Sequence, residues 1–186
     1  MENELTIRLS AFLVLFLLFA LLESYWPRRK RVYSRLSRWP THWAITAINA
    51  LMLRALSFGL PLLAVGAALD ASQAGLGLFN QLNWPIWVEF TICVLVLDFS
   101  IWVQHLISHK VPVLWRLHRV HHSDEDMDVT TAIRFHPVEI ALSMFLKIGL
   151  VYLIGPAALA VIIFEVLLNG AAMFNHANIS LSLIHI

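Results

Sequence analysis

Apolar and polar residues follow one another along this chain in long blocks. Leu5–Leu22 is an almost unbroken apolar run, able to cross about 30 Å of hydrocarbon with slight extension by its flanks. Next come Pro27-Arg28-Arg29-Lys30-Arg31, then Arg35 and Arg38, with Tyr25, Trp26, Trp39 and Trp43 interleaved. Cations mixed with Trp and Tyr describe a cytoplasmic membrane interface. A second apolar stretch, Ala44–Leu69, contains Gly59-Leu60-Pro61, which predicts a kink or a broken hairpin rather than one straight helix. Asp70–Pro85 holds neither Lys nor Arg, as suits the opposite side, and Ile86–Gln104 returns across the membrane. The polar stretch His109–Pro137 follows, and Pro137 suits the first turn of the next helix. The last apolar block, Val138–Phe174, is split by Gly155-Pro156 into a hairpin that brings His176 back to the cytoplasmic face. There is no strand-like alternation and no internal repeat. The pattern predicts an all-α, multispanning membrane helical bundle.

Composition sharpens this picture. The 186 residues are 59% hydrophobic and 13% charged, with a mean hydropathy of +0.74, too apolar for an ordinary soluble domain. A net charge of +1 implies no nucleic-acid partner. The single cysteine, Cys93, sits in an apolar run, so neither a disulfide framework nor a CxxC zinc site is available within the chain. Glu2 and Glu4 precede the first span and no small-residue cleavage site follows it, so it reads as an uncleaved span rather than a signal peptide. We read residues 1–186 as one integral membrane domain, with N-terminal spans and a basic interfacial loop over 1–81.

The candidate chemistry is histidine. His105-Leu-Ile-Ser-His109 and His118-Arg-Val-His121-His122 form HxxxH and HxxHH motifs just beyond an apolar helix, and His136 and His176 reach the same face. Residues at i, i+3 and i+4 share a helix face, and neutral imidazole is the commonest metal ligand among side chains. Imidazole suits zinc, iron, copper and nickel alike. A structural zinc needs four ligands, whereas seven histidines on one face look built for two metals. HExxH, the zinc-protease arrangement, is absent: Leu106 and Arg119 stand where Glu would be needed. A haem needs only two axial ligands, and a metal transporter would string ligands through the bilayer; a non-catalytic membrane metal binder or transporter is the alternative function.

Polar residues inside the spans are costly, so each needs a partner. Asp98, seven residues before His105, is expected to orient an imidazole as a second-shell carboxylate. Glu165, Asn169 and His176 form one polar stripe, and Glu139, Ser143 and Lys147 another, both leading toward the histidines; Glu165 and Asn169 are candidates for the metal's surroundings. The acidic run Asp124-Glu125-Asp126 with Asp128 reads as solvated surface, the basic segment as topogenic, and His42 as an interfacial anchor. Glu89 is given no role.

The stretches Asp98-Phe-Ser-Ile-Trp-Val-Gln-His105, Trp115-Arg-Leu-His118-Arg-Val-His121-His122-Ser-Asp124, Arg134-Phe-His136-Pro-Val-Glu139 and Asn175-His176-Ala-Asn178 together resemble the fatty acid hydroxylase/sterol desaturase family, over about residues 82–178. The resemblance implies a membrane di-iron oxygenase, with two irons in the complete protein, that uses O2 and an external electron donor to hydroxylate or desaturate a lipid. It makes His105, His109, His118, His121 and His122 metal ligands, adds His176 as a ligand, and leaves His136 as a ligand, a second-shell group or part of the substrate channel. Family members carry a further HxxHH motif that does not occur before Ile186. The sequence is therefore expected to be a truncated reading frame that lacks ligands for at least one iron, with 181–186, His185 included, as an artefactual tail.

Overall fold

The computed structural model describes residues 4–59, 63–82 and 84–180, and among these it is helical, with no strand. The central break near Leu60 and Pro61 and the tail 181–186 with His185 lie outside the described residues. Helix α1 spans Glu4–Tyr25, α2 Arg35–Gly59, α3 Ala64–Ala74 and α4 Leu78–Gln81. They are followed by α5 Ile86–Lys110, α6 Pro112–His118, a 3-10 turn Val129–Ile133, α7 Pro137–Ile154 and α8 Ala158–His176. Four of them, α1, α5, α7 and α8, are long and apolar enough to cross a membrane, as an integral membrane protein requires.

The second apolar stretch forms two helices. Helix α2 begins in the basic segment and carries Arg35, Arg38 and Arg54; it is not among the four candidate spans. The 11-residue α3 rises only about 16 Å, and its Ala64, Val65, Ala67 and Ala68 are buried against the rest of the bundle.

Proline and glycine set the boundaries. Val111, before Pro112, is extended and ends α5, because proline disfavours the helical region for its predecessor; Pro112 then opens α6. His136 and Pro137 repeat the arrangement at the start of α7. Gly155 ends α7 at φ +63°, the left-handed conformation of a helix C-terminus. A side chain at Gly77 would collide with the Gly155 backbone, so two glycines let the α3–α4 connection press against the α7–α8 turn.

Two apolar cores result. One joins α3, α5, α7 and α8 through Cys93, Leu97, Val151, Val161 and Phe164. The other joins α1, α2, α8 and the 3-10 turn through Phe16, Val129, Ala132 and Met173, with Trp39 and Trp43 against them. The C-terminal ends of α1, α5 and α8 and the N-terminal end of α7 meet at one end of the bundle, as the bonds of Glu23 with Val129 and Asn178 and of His118 with Glu139 record.

Candidate metal centre

Helix α5 delivers His105 and His109 one turn apart, and α6 with the turn after it delivers His118, His121 and His122. One ligand nitrogen from each of His105, His109, His118 and His122 falls within 4.8 Å of the others. Two nitrogens on one ion at about 2.0–2.1 Å stand no more than about 4.2 Å apart. The four imidazoles thus bring one nitrogen each into a single small region, and closing it on one ion needs only a modest inward shift of the side chains.

Nε2 atoms face Nε2 atoms: His105 and His109 at 3.0 Å, His118 and His122 at 3.1 Å, and His121 and His176 at 2.8 Å. The other ring nitrogens explain the facing pairs. His118 Nδ1–H donates to Glu139 Oε1 at 2.6 Å, and His176 Nδ1–H donates to the Ala172 carbonyl at 2.7 Å. Both Nε2 atoms thus present lone pairs. His121 Nδ1 is buried with no partner, its ring stacked on Phe135 at 4.3 Å between centroids. With His118 and His176 as acceptors, His122 and His121 can donate Nε2–H to them. In the Nδ1–H tautomer each ring would instead turn a lone pair to a cation, so the imidazoles present fit a metal ion.

Electrostatics favour the ligating form. Burial, then the His109 imidazole, pushes His118 down to about 4. Burial, then His176 and the imidazoles of its own motif, pushes His121 down to about 3. Burial and three neighbouring imidazoles lower His122. All three are neutral at physiological pH.

The polar residues predicted around the metals sort differently. Glu139 is the carboxylate bonded to a histidine of the cluster, His118; Asp98 is exposed and bonds to no histidine among the described residues. It shares a face of α5 with His105 but lies two turns away, about 10 Å along the axis. Glu165 is buried with Lys147 (3.1 Å) and Arg8 (2.8 Å), about 16 Å along α8 from His176, and Asn169 donates back to the Glu165 carbonyl. Glu165 thus links α8 to α1 and α7, while Asn169 bonds within α8. His136 accepts from Val138 N–H and caps α7. Glu89 accepts from Ala157 N–H at the start of α8.

The acidic run is not simply solvated surface: Glu125 is exposed, but Asp126 and Asp128 are buried. Arg38 is buried and binds Asp124 and Asp128, while Asp126 accepts from the Val32 and Tyr33 amides. His42 is 2% exposed, with Thr130 at 2.7 Å and Asp124 at 3.1 Å. Burial lowers it, against the pull of Asp124. The desolvation cost of these groups is met by pairing across the sequence, which local pattern does not display.

Beside the cluster lies an apolar cavity of about 260 Å3, walled by Leu114, Leu117, Leu142 and Leu146. Glu139 and Gln104 border it, each with a buried oxygen that has no partner.

Comparison with known proteins adds relatives. The chain is 33% identical to human alkylglycerol monooxygenase over 45% of its own length and 19% of the relative. It is 38% identical to the fatty acid hydroxylase vlmA of a Lecanicillium species, over 30% of its length and 16% of the relative. It is 27% identical to the ornithine lipid hydroxylase OlsE of Rhizobium tropici, over 39% and 22%. The chain thus spans about a fifth of the length of the curated relatives it matches. No solved structure matches it. The sequence profile of the fatty acid hydroxylases matches residues 90–186, more than half of the chain and every histidine of the cluster, and the chain belongs to that family.

Proposed function

We propose that this chain is the metal-holding part of an oxidoreductase that hydroxylates or desaturates a lipid C–H bond with O2, its imidazoles binding iron. The observation that carries this reading is the convergence of four imidazole nitrogens next to a leucine-walled cavity. The names of the relatives, two lipid hydroxylases and a monooxygenase, support it.

Iron at these sites would supply O2 activation and cleavage of an unactivated C–H bond. The residues supply the rest. His105, His109, His118 and His122 hold one ion; His121 and His176 contribute two donors to a second. Glu139 keeps His118 in the tautomer whose Nε2 can ligate and raises its basicity. Leu114, Leu117, Leu142 and Leu146 exclude water and receive an aliphatic stretch of the substrate. A volume of about 260 Å3 far exceeds the roughly 10–15 Å3 that one water needs by this measure. Glu139 both borders the cavity and touches His118, so a chain lying there ends beside the metal. Arg28–Arg38 with its aromatic neighbours lies at the histidine end of the bundle, which supports a cytoplasmic orientation of the site. Electrons come from a separate donor.

The test is oxygen consumption and product analysis by mass spectrometry on the complete oxidoreductase of which this chain is the metal-holding part, reconstituted with iron, a reductant and mixed membrane lipids. The reading expects an O2-dependent oxygenated or unsaturated product. Full lipid turnover by protein that holds no iron would refute it.

A further inference from the structure

The N-terminal hairpin lies outside the family-matched residues 90–186, yet it reaches into the histidine end of the bundle through one carboxylate. Glu23 is fully buried near the end of α1. A single oxygen, Oε2, accepts both the Val129 amide at 2.9 Å and the Asn178 amide at 3.0 Å. The other oxygen, Oε1, pairs with Arg35 at 3.0 Å. Val129 starts the 3-10 turn that follows the His118–His122 motif, and Asn178 stands two residues after His176.

We propose that Glu23 is a positioning residue for the His121–His176 pair: it ties together the two segments that flank these imidazoles and so sets their separation. This rests on reading the two imidazoles as metal ligands. A helix C-terminus otherwise frays, and a two-ligand arrangement from remote segments is only as good as the support that fixes both. Here the support is dense. Asn178 accepts the Arg29 amide and donates to the Arg29 carbonyl at 2.9 and 2.8 Å, and Ser180 N–H reaches the Trp26 carbonyl. The C-terminal end of α8 is thereby stitched to the chain that leaves α1.

The chemistry asks for a carboxylate in particular. Oε2 must accept two amides while Oε1 faces a guanidinium; a glutamine that kept the first would turn its NH2 toward Arg35, donor against donor. The clamp is also selective. His105 and His109 ride on α5, and His118 is held by Glu139; among the described residues Glu23 bonds to none of these three.

Co(II) titration of the purified full chain in detergent, followed by its visible ligand-field absorption, tests this. Wild type is expected to show a tight class of sites from the four-imidazole cluster and a weaker class from His121–His176. Glu23→Gln and Glu23→Ala are expected to weaken the second class at least tenfold and to leave the first within twofold. The inference is overturned if both classes are unchanged, if both fall together, or if wild type shows a single class. Absence of any Co(II) binding by wild type would defeat the metal-centre reading itself as well.

Discussion

Replacing Arg38 with alanine removes the cation that neutralises a buried acidic pair. Its guanidinium Nε lies 2.9 Å from Asp124, and Nη1 lies 2.9 Å from Asp128, whose side chain is fully buried. Breaking a buried pair by removing one partner costs about 3–5 kcal/mol, because a charge is left uncompensated. Asp128 keeps bonds from the Thr130 amide and hydroxyl and from the Trp39 indole, which puts the loss near the lower limit, about 3 kcal/mol. For a chain of this size that is roughly 6–12 °C in melting temperature, read by differential scanning fluorimetry in detergent. Arg38→Lys keeps charge but not the fork and should fall between. Adding Asp128→Asn to Arg38→Ala should recover part of the loss, since it removes the orphaned charge. A melting temperature within 2 °C of wild type for Arg38→Ala would show that the network is not holding the loop after the HxxHH motif.

Further outcomes follow from the same geometry. Glu139→Gln removes the carboxylate from His118 and should weaken metal binding about 10- to 100-fold in a chelator competition; unchanged affinity would contradict its role. Leu146→Trp fills the cavity and should abolish lipid turnover while metal content stays at the wild-type level, whereas unimpaired turnover would mean the substrate lies elsewhere. His118 and His121, held at about 4 and about 3 by burial and neighbouring imidazoles, stay neutral while an unfolded histidine protonates near 6.5. Between these values the unfolded chain binds more protons, so stability of the metal-free protein should fall as pH drops from 6.5 toward 4. The Asp128 carboxyl, which burial would raise but Thr130, Trp39 and Arg38 hold below the usual range, loses its contribution only at lower pH. A melting temperature that is flat or rises from pH 6.5 to 4.5 would contradict this.

Much of the fold was legible because its signals are local. Apolar runs of span length, Pro137 and Gly155 fix helix limits by backbone chemistry that acts over a few residues, and α7 and α8 begin and end close to where those residues put them, while α5 runs on past Gln104 to Lys110. The histidine spacing was equally local: HxxxH needs only one helical turn to bring two rings together. The partners of buried charges were not legible. Arg38 and Asp124 are 86 residues apart, and Glu23 and Asn178 are 155 apart, so a basic interfacial segment and an acidic run looked like two unrelated surfaces. The partners of Glu165, Lys147 and Arg8, were hidden for the same reason. A helical offset says which positions share a face, but only the packing of α1 and α7 against α8 decides which neighbour that face meets. Glu139 carried one usable cue, its place in the first turn of a helix begun by His136-Pro137, close behind the histidine loop.

The central claim is that these imidazoles hold iron. The most direct measurement is the metal content of the purified full chain by mass spectrometry, for wild type and for His109→Ala combined with His118→Ala. The account predicts bound iron in wild type and its loss from the double variant while the helical circular dichroism is retained. Iron bound equally to both proteins, or to neither after anaerobic loading with ferrous ion, would contradict it.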